Sequence, residues 1–137
     1  MPAADTNVLV RLVADDDEQQ QRHVSSFLRR SGPVFVSHVV LTETCWVLVR
    51  AYALSRADLA RSVEMFLSTD VLRVERPEIV AEALRSFRSS AADFSDCLIL
   101  ASARAANELP LATFEDRLGR LEGAIRLGGK RPARSRK

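Results

Sequence analysis

Short apolar segments that read as strands alternate along this chain with longer segments whose apolar residues recur at helical spacing. Such alternation predicts a parallel sheet with helices packed on both of its faces. The strand-like segments are short, so the sheet is expected to be narrow. They cover residues 3–5, 34–36, 71–74 and 111–113, with a further edge strand at 124–127.

Helices are predicted between these strands. Ser55 and Asp58 have the spacing of a capping box, and Pro77 suits the first turn of a helix. Another helix is expected to open at Ser37 and to run to about residue 53, and another begins at Asp93. The remaining predicted helices cover residues 8–13, 17–30 and 115–121.

The 137 residues, 47% of them hydrophobic, fit one domain with a substantial core. No apolar run approaches the roughly 18 residues of a membrane span, and the first residues do not resemble a secretory signal. We therefore expect a cytoplasmic protein with no membrane partner. The two cysteines, Cys45 and Cys97, lie in apolar runs and are expected to be buried hydrophobic residues rather than zinc ligands.

Basic residues are concentrated at the end of the chain. Residues 128–137 contain five basic side chains and no acid, whereas the rest has 15 basic against 18 acidic side chains. We therefore divide the chain into a folded domain at 1–127 and a disordered basic tail at 128–137. The tail could hold phosphate backbones or serve only as a solubilising end.

Acidic residues recur where a predicted strand gives way to a helix. Because the carboxyl ends of parallel strands meet at one edge of a sheet, these side chains are expected to gather there. Carboxylates brought together repel each other unless a cation lies between them. The positions are Asp5, Glu43, the pair Asp93 and Asp96, and the pair Glu115 and Asp116.

Each acid also has a local explanation. Asp5 could cap the first helix, and Asp93 with Asp96 could form a capping box. Glu43, in an apolar helix start, either points to solvent or faces a cation, because burying it unpaired is costly. Glu115 and Asp116 could be ordinary acids of a first helical turn.

Taken together, the acids offer only oxygen ligands, which suit a hard cation such as Mg²⁺ or Mn²⁺. Such ions commonly act on phosphates, where they activate water and stabilise developing charge. Nearby hydroxyls and an amide could position water or phosphate, and these are Thr6, Asn7, Ser37 and Thr113.

Four segments that carry these acids resemble motifs of PIN-domain ribonucleases, and their order resembles the VapC toxins of bacterial toxin–antitoxin pairs. They are DTNVLV at 5–10, VLTET at 40–44, ADFSDCLI at 92–99 and ATFED at 112–116. The resemblance covers roughly residues 1–127 and implies a three-layer α/β/α PIN-like domain with a short central parallel sheet.

The same resemblance implies a Mg²⁺- or Mn²⁺-dependent endoribonuclease that acts as the toxin of a type II pair. It would cleave phosphodiester bonds of transfer or ribosomal RNA with a metal-activated water. It would also form a homodimer and be blocked by a cognate VapB-like antitoxin. Carried over by position, Asp5, Glu43 and Asp96 would be the catalytic metal-site acids, and Asp93 a neighbouring acid of the site.

The fourth segment departs from the family pattern, which commonly has Asp directly after Thr-Phe. Here Glu115 holds that place and Asp116 follows. Either Glu115 reaches the metal with its extra methylene, or Asp116 takes over. The departure keeps open an alternative function, a catalytically weak PIN-like module that binds RNA or protein.

Overall fold

The computed structural model of this chain describes residues 1–128, so the predicted basic tail lies, apart from Gly128, outside the described residues. Within this range seven helices and four strands follow one another. They are α1 (Thr6–Val13), α2 (Glu18–Ser31), β1 (Val34–Val36), α3 (His38–Arg50), α4 (Arg56–Ser68), β2 (Leu72–Val74), α5 (Pro77–Arg88), α6 (Phe94–Ala105), β3 (Leu111–Thr113), α7 (Asp116–Gly119) and β4 (Ala124–Arg126).

The strands are short and parallel, as predicted. β1 pairs with β2 so that Val34 lies opposite Leu72, and β3 pairs with β4 so that Leu111 lies opposite Ala124. Helices cover these strands, and the chain has the predicted α/β/α fold. Within the described residues, however, the hydrogen bonds form two separate two-stranded ladders rather than one continuous sheet.

The predicted strand at residues 3–5 is reduced to a single parallel bridge between Ala3 and Phe35. The Phe35 amide donates to the Pro2 carbonyl, and the Ala4 amide donates to the Phe35 carbonyl. Pro2 has no amide hydrogen to extend the ladder, and α1 begins at Thr6. The bridge still places the end of this segment beside the end of β1.

The core forms where the helices meet β1 and β2. Val34 and Val36 are fully buried, and Phe66 and Leu48 are among the largest side chains hidden from solvent. Both cysteines are free and buried, as predicted. No helix of residues 1–128 has the length and apolar composition needed to cross a membrane.

Side-chain caps fix the starts of three helices. Asp17, Ser37 and Ser55 accept hydrogen bonds from the amides of Gln20, Val40 and Asp58 at the starts of α2, α3 and α4. The Ser55 cap confirms part of the predicted capping box. α3 ends at Arg50 rather than near residue 53, because Ala53 adopts a left-handed backbone with φ of 54°.

Candidate active site

Three of the predicted site acids occupy N-cap positions without capping their helices. Asp5, Asp93 and Glu115 precede α1, α6 and α7, and none of their side chains makes a capping hydrogen bond. Their carboxylates are exposed. The capping interpretation of Asp5 and the capping-box interpretation of Asp93 are therefore wrong, and these carboxylates are free to contact a ligand.

These acids also lack basic partners. Arginines pair with seven other acids in residues 1–128, but Asp5, Glu43, Asp93, Asp96 and Glu115 form no ion pair within that range. A carboxylate without a partner is ordinary at an isolated surface position. Several in one neighbourhood leave a negative charge that nothing in the described chain neutralises.

Asp96 lies at the centre of one such neighbourhood. Its side chain is half-buried in the first turn of α6. Burial raises the pKa of Asp96 above its ordinary value of 3.8, and the negative charges of Asp93 and Glu115 raise the pKa further. The starts of α6 and α7 therefore bring Asp93 and Glu115 close enough to repel the carboxylate of Asp96.

Glu43 belongs to a second group, on α1 and α3. The Thr6 hydroxyl donates a hydrogen bond of 2.7 Å to the Glu43 carboxylate, and Thr6 directly follows Asp5. α3 packs against both α1 and α6, and Glu43 and Ser95 line the same surface cavity. The two groups of acids thus lie on adjoining elements.

Two acids have the predicted places in their helices, Glu43 within one and Asp93 at the start of another, but the expectation that they lie at strand ends is wrong. Glu43 lies inside α3, and Asp93 follows the loop after α5, so neither directly follows a strand. Helix packing, rather than the edge of one sheet, brings these side chains to the site. The reason is that α3 packs against α6, and Glu43 of α3 and Ser95 of α6 line the same cavity.

The structure separates Glu115 from Asp116. Asp116 pairs with Arg120 at 2.5 Å and with Arg126 at 3.1 Å. Glu115 has no such partner within residues 1–128, and its charge acts on Asp96. Of this pair, Glu115 is therefore the acid that faces the other carboxylates.

The supporting polar residues have different surroundings. The Ser37 hydroxyl is used as the cap of α3, and the Thr113 hydroxyl accepts from the Glu115 amide at 3.0 Å. Thr6 holds Glu43, as described above. Asn7 is exposed on α1, and its side chain makes no hydrogen bond within residues 1–128.

Arg56 is a residue that the sequence interpretation missed. Its guanidinium donates to the carbonyl oxygens of Phe87, Ser90 and Ala92, at 2.8, 3.0 and 3.1 Å, and so fixes the loop before Asp93. No sequence pattern indicates this role, because the three carbonyls lie more than 30 positions away and belong to the backbone.

The donor set is chemically suited to a hard cation. Among residues 1–128 no three His, Cys, Asp or Glu side chains stand close enough to form a ready-made metal cage. Mg²⁺ keeps several of its waters and needs only one or two carboxylates, so a looser set of oxygens fits it. Asp96 with Asp93 and Glu115, and Glu43 beside Asp5, could hold such an ion.

Comparison with known proteins identifies the family of the chain. Residues 3–124 match the PIN domain family. The chain is also similar to a VapC ribonuclease of Aquifex aeolicus (strain VF5), with 25% identity over 101 residues, which cover 72% of this chain and 75% of that protein. The family match extends over nearly all of the described residues and includes every acid of the site. The chain therefore belongs to the PIN-domain family.

Proposed function

We propose that this protein is a Mg²⁺- or Mn²⁺-dependent endoribonuclease that cleaves phosphodiester bonds of structured RNA, either transfer or ribosomal RNA. The observation that carries the proposal is the group of carboxylates around Asp96, which serve neither as helix caps nor as partners of arginine. Like charges kept together without a structural use are typical of a metal site. The similarity to a VapC ribonuclease supports the same reaction class.

In this proposal Asp5, Glu43, Asp96 and Glu115 are the acids that hold the metal, and Asp93 adds negative charge beside them. A bound ion would activate the attacking water and stabilise the charge on the phosphate. Thr6 keeps the Glu43 carboxylate in place through its hydrogen bond. Thr113 holds the amide of Glu115 and so orients the start of α7.

Cleavage assays test the proposal directly. The purified protein, free of any partner and stripped with EDTA, should cut transfer or ribosomal RNA only after Mg²⁺ or Mn²⁺ is restored. Asp5→Ala should abolish cleavage and keep the fold. Asp70→Asn is a matched control, because Asp70 is exposed, forms no ion pair within residues 1–128 and precedes β2, away from the site.

Absence of metal-dependent cleavage in the wild-type protein would contradict the nuclease proposal. The second candidate function is then a module that binds RNA or protein without cutting. The observation that favours it is the Glu at position 115, where the family commonly has Asp. RNA binding by the wild-type protein in EDTA, without cleavage after metal is added, is the result expected of that module.

We further propose that the protein acts in the cytoplasm as the toxin of a type II pair, as a homodimer blocked by a VapB-like antitoxin. Exposed apolar side chains on α3 and α6, Val39 and Ile99, offer a face for a protein partner. Light scattering of the purified protein tests the homodimer. A small DNA-binding protein encoded in the neighbouring reading frame, which copurifies and stops cleavage, is the result expected of the antitoxin.

A further inference from the structure

A cavity of about 240 Å³ opens beside the candidate site. Its wall is formed by the second half of α3, the start of α4 and the start of α6, and it includes Asp93 and Ser95. Asp93 belongs both to this wall and to the group of acids around Asp96, so the cavity adjoins the candidate site.

Trp46 lies on the cavity wall with its indole largely in solvent. The side chain is 60% exposed, although tryptophan is costly to leave in water. The Arg50 guanidinium stands one helical turn away, 5.3 Å from the ring centroid. This cation–π contact covers one side of the ring, and the indole keeps exposed surface for a further partner.

The cavity also carries positive charge without acidic partners. Arg50 forms no ion pair within residues 1–128, and Arg56 directs its hydrogen bonds to backbone carbonyls while stacking 3.9 Å from the Phe87 centroid. Neither guanidinium is therefore neutralised by a carboxylate of the described chain. Asp93 lies on the same wall, but two guanidinium groups against one carboxylate leave the cavity with a net positive charge, which attracts the phosphates of a polyanion.

Resting on the proposed ribonuclease function, we propose that this cavity binds an unpaired nucleotide of the RNA next to the bond that is cut. The base stacks on the Trp46 indole, and the arginines Arg50 and Arg56 neutralise the adjoining phosphates. Aromatic rings combined with arginine are the usual means of holding single-stranded RNA without sequence preference. Charge complementarity favours this polyanion over an apolar protein segment.

Trp46 is the only tryptophan of the chain, so its fluorescence reports on the surroundings of this one side chain, which include this cavity and the adjoining cavity lined by Glu43 and Ser95. The full-length protein in EDTA is titrated with a hexauridylate and with an abasic ribose-phosphate hexamer. Saturable quenching by the hexauridylate, and little by the abasic hexamer, is expected. Equal quenching by both, or a signal that changes only with protein concentration, would show that no base stacks there and would overturn the proposal.

Matched variants test the charge. Arg50→Met should weaken binding of a labelled hexauridylate, followed by anisotropy, by about fivefold or more, because one phosphate is no longer neutralised. Arg85→Met is the control, because Arg85 is exposed on α5, forms no ion pair within residues 1–128 and lies outside this cavity. If Arg50→Met and Arg85→Met weakened binding equally, the loss would reflect the net charge of the protein rather than a site at Arg50, and the proposal would be overturned.

The cleavage reaction separates this proposal from the nuclease proposal. Trp46→Leu should raise KM by about fivefold or more and Trp46→Phe should largely restore it, because one base stacked on an aromatic ring accounts for that much. Cleavage by the wild type with an unchanged KM in Trp46→Leu would overturn the stacking site alone. Base-dependent quenching in a protein that cuts no RNA would support the stacking site and overturn the nuclease.

Discussion

Asp96 is a half-buried carboxylate with carboxylates for neighbours and no arginine partner within residues 1–128. Without a cation, its ionised form costs the folded state free energy, because burial and repulsion both oppose the charge. The same arrangement should make the folded protein a better ligand for a divalent cation than the unfolded chain. The negative charge of Asp96 therefore lowers the stability of the metal-free protein and raises its affinity for a divalent cation.

We expect Asp96→Asn to raise the melting temperature in EDTA by roughly 1–3 °C, since a repulsive charge is removed from a partly solvated position. The rise in melting temperature on adding millimolar Mg²⁺ should shrink in the variant. Cleavage should fall by about 100-fold or more, because even outer-shell changes at metal sites cost 10–100-fold. Calorimetry with and without Mg²⁺ checks this, and a variant less stable than wild type in EDTA would contradict it.

The acids proposed for the site could be singled out from the sequence, because their chemistry and order are local properties. The choice between Glu115 and Asp116 could only be read in part, because Arg120 is a local partner of Asp116 at i,i+4 spacing, whereas its second partner, Arg126, is not. That arginine lies in β4 and reaches Asp116 only once β4 has paired with β3. Arg56 escaped prediction for a similar reason, since its partners are backbone carbonyls in a distant loop.

At the scale of elements, six of the seven helix starts within residues 1–128 divide into two kinds, and only α5, which begins at Pro77, belongs to neither. Those of α2, α3 and α4 have a capping side chain, whereas those of α1, α6 and α7 have an acid that makes no capping bond. The first kind stabilises its helix by about 1 kcal/mol. The helices of the second kind lack this capping hydrogen bond, and in each of them the N-cap residue presents a free carboxylate toward the candidate site.

Ser55→Ala should therefore lower the free energy of unfolding by about 1 kcal/mol and leave cleavage unchanged, because only the cap of α4 is removed. Asp93→Ser should do the opposite. It supplies a capping hydroxyl to α6 and removes a charge next to Asp96, so stability should rise and cleavage should fall. Denaturant unfolding and cleavage rates of both variants check the contrast, and a decrease in stability in Asp93→Ser would contradict it.

A second element-scale contact joins α1 to the end of α3. The Arg11 guanidinium, buried on α1, donates to the Tyr52 hydroxyl at 2.7 Å and also pairs with Asp16. The Tyr52 hydroxyl in turn donates to Asp16 at 2.8 Å. This hydrogen bond lowers the pKa of Asp16 below its ordinary value of 3.8, and Arg11 lowers the pKa further.

Because the pKa of Asp16 is lower in the folded state, the unfolded state binds more protons, and this stabilisation is present above pH 3.8 and disappears as the pH falls below it. Tyr52→Phe should lower the free energy of unfolding at pH 7, and this loss should diminish below pH 3.8. Urea unfolding across pH 3–7 checks this. In an Asp16→Asn background the pH dependence of the Tyr52→Phe effect should disappear.

The elements themselves were predicted well where apolar runs are bounded by clear caps or breaks, as at residues 34–36, which form β1. The prediction of a strand at residues 3–5 was wrong, because only one bridge forms there. Strand pairing depends on partners outside the segment, and Pro2 has no amide hydrogen to extend the ladder. The division of the strands into two ladders was not predicted, because the pairing of β3 with β4 alone depends on tertiary contacts that no local pattern encodes.

At the scale of the whole molecule, charge is unevenly distributed between the domain and the five basic residues of 128–137. Removing residues 129–137 should leave the melting temperature unchanged and weaken RNA binding most at low salt, because fewer counterions are released. In a plot of log affinity against log salt concentration, the negative slope should become shallower by about 0.7 for each phosphate of single-stranded RNA that the shortened chain no longer neutralises. An unchanged slope would indicate that the tail is only a solubilising end.

The separate ladder of β3 and β4 has a consequence for how the centre is assembled. β1 is fully buried at Val34 and Val36, whereas Ile125 in β4 is 47% exposed, and Glu115 stands between β3 and β4 in the chain. We expect amide hydrogens of β3 and β4 to exchange about tenfold faster than those of β1 and β2 in EDTA, and Mg²⁺ to slow them selectively. The reaction centre would then be a locally folding unit, which unfolds on warming before the rest of the domain and is restored by the ion it binds.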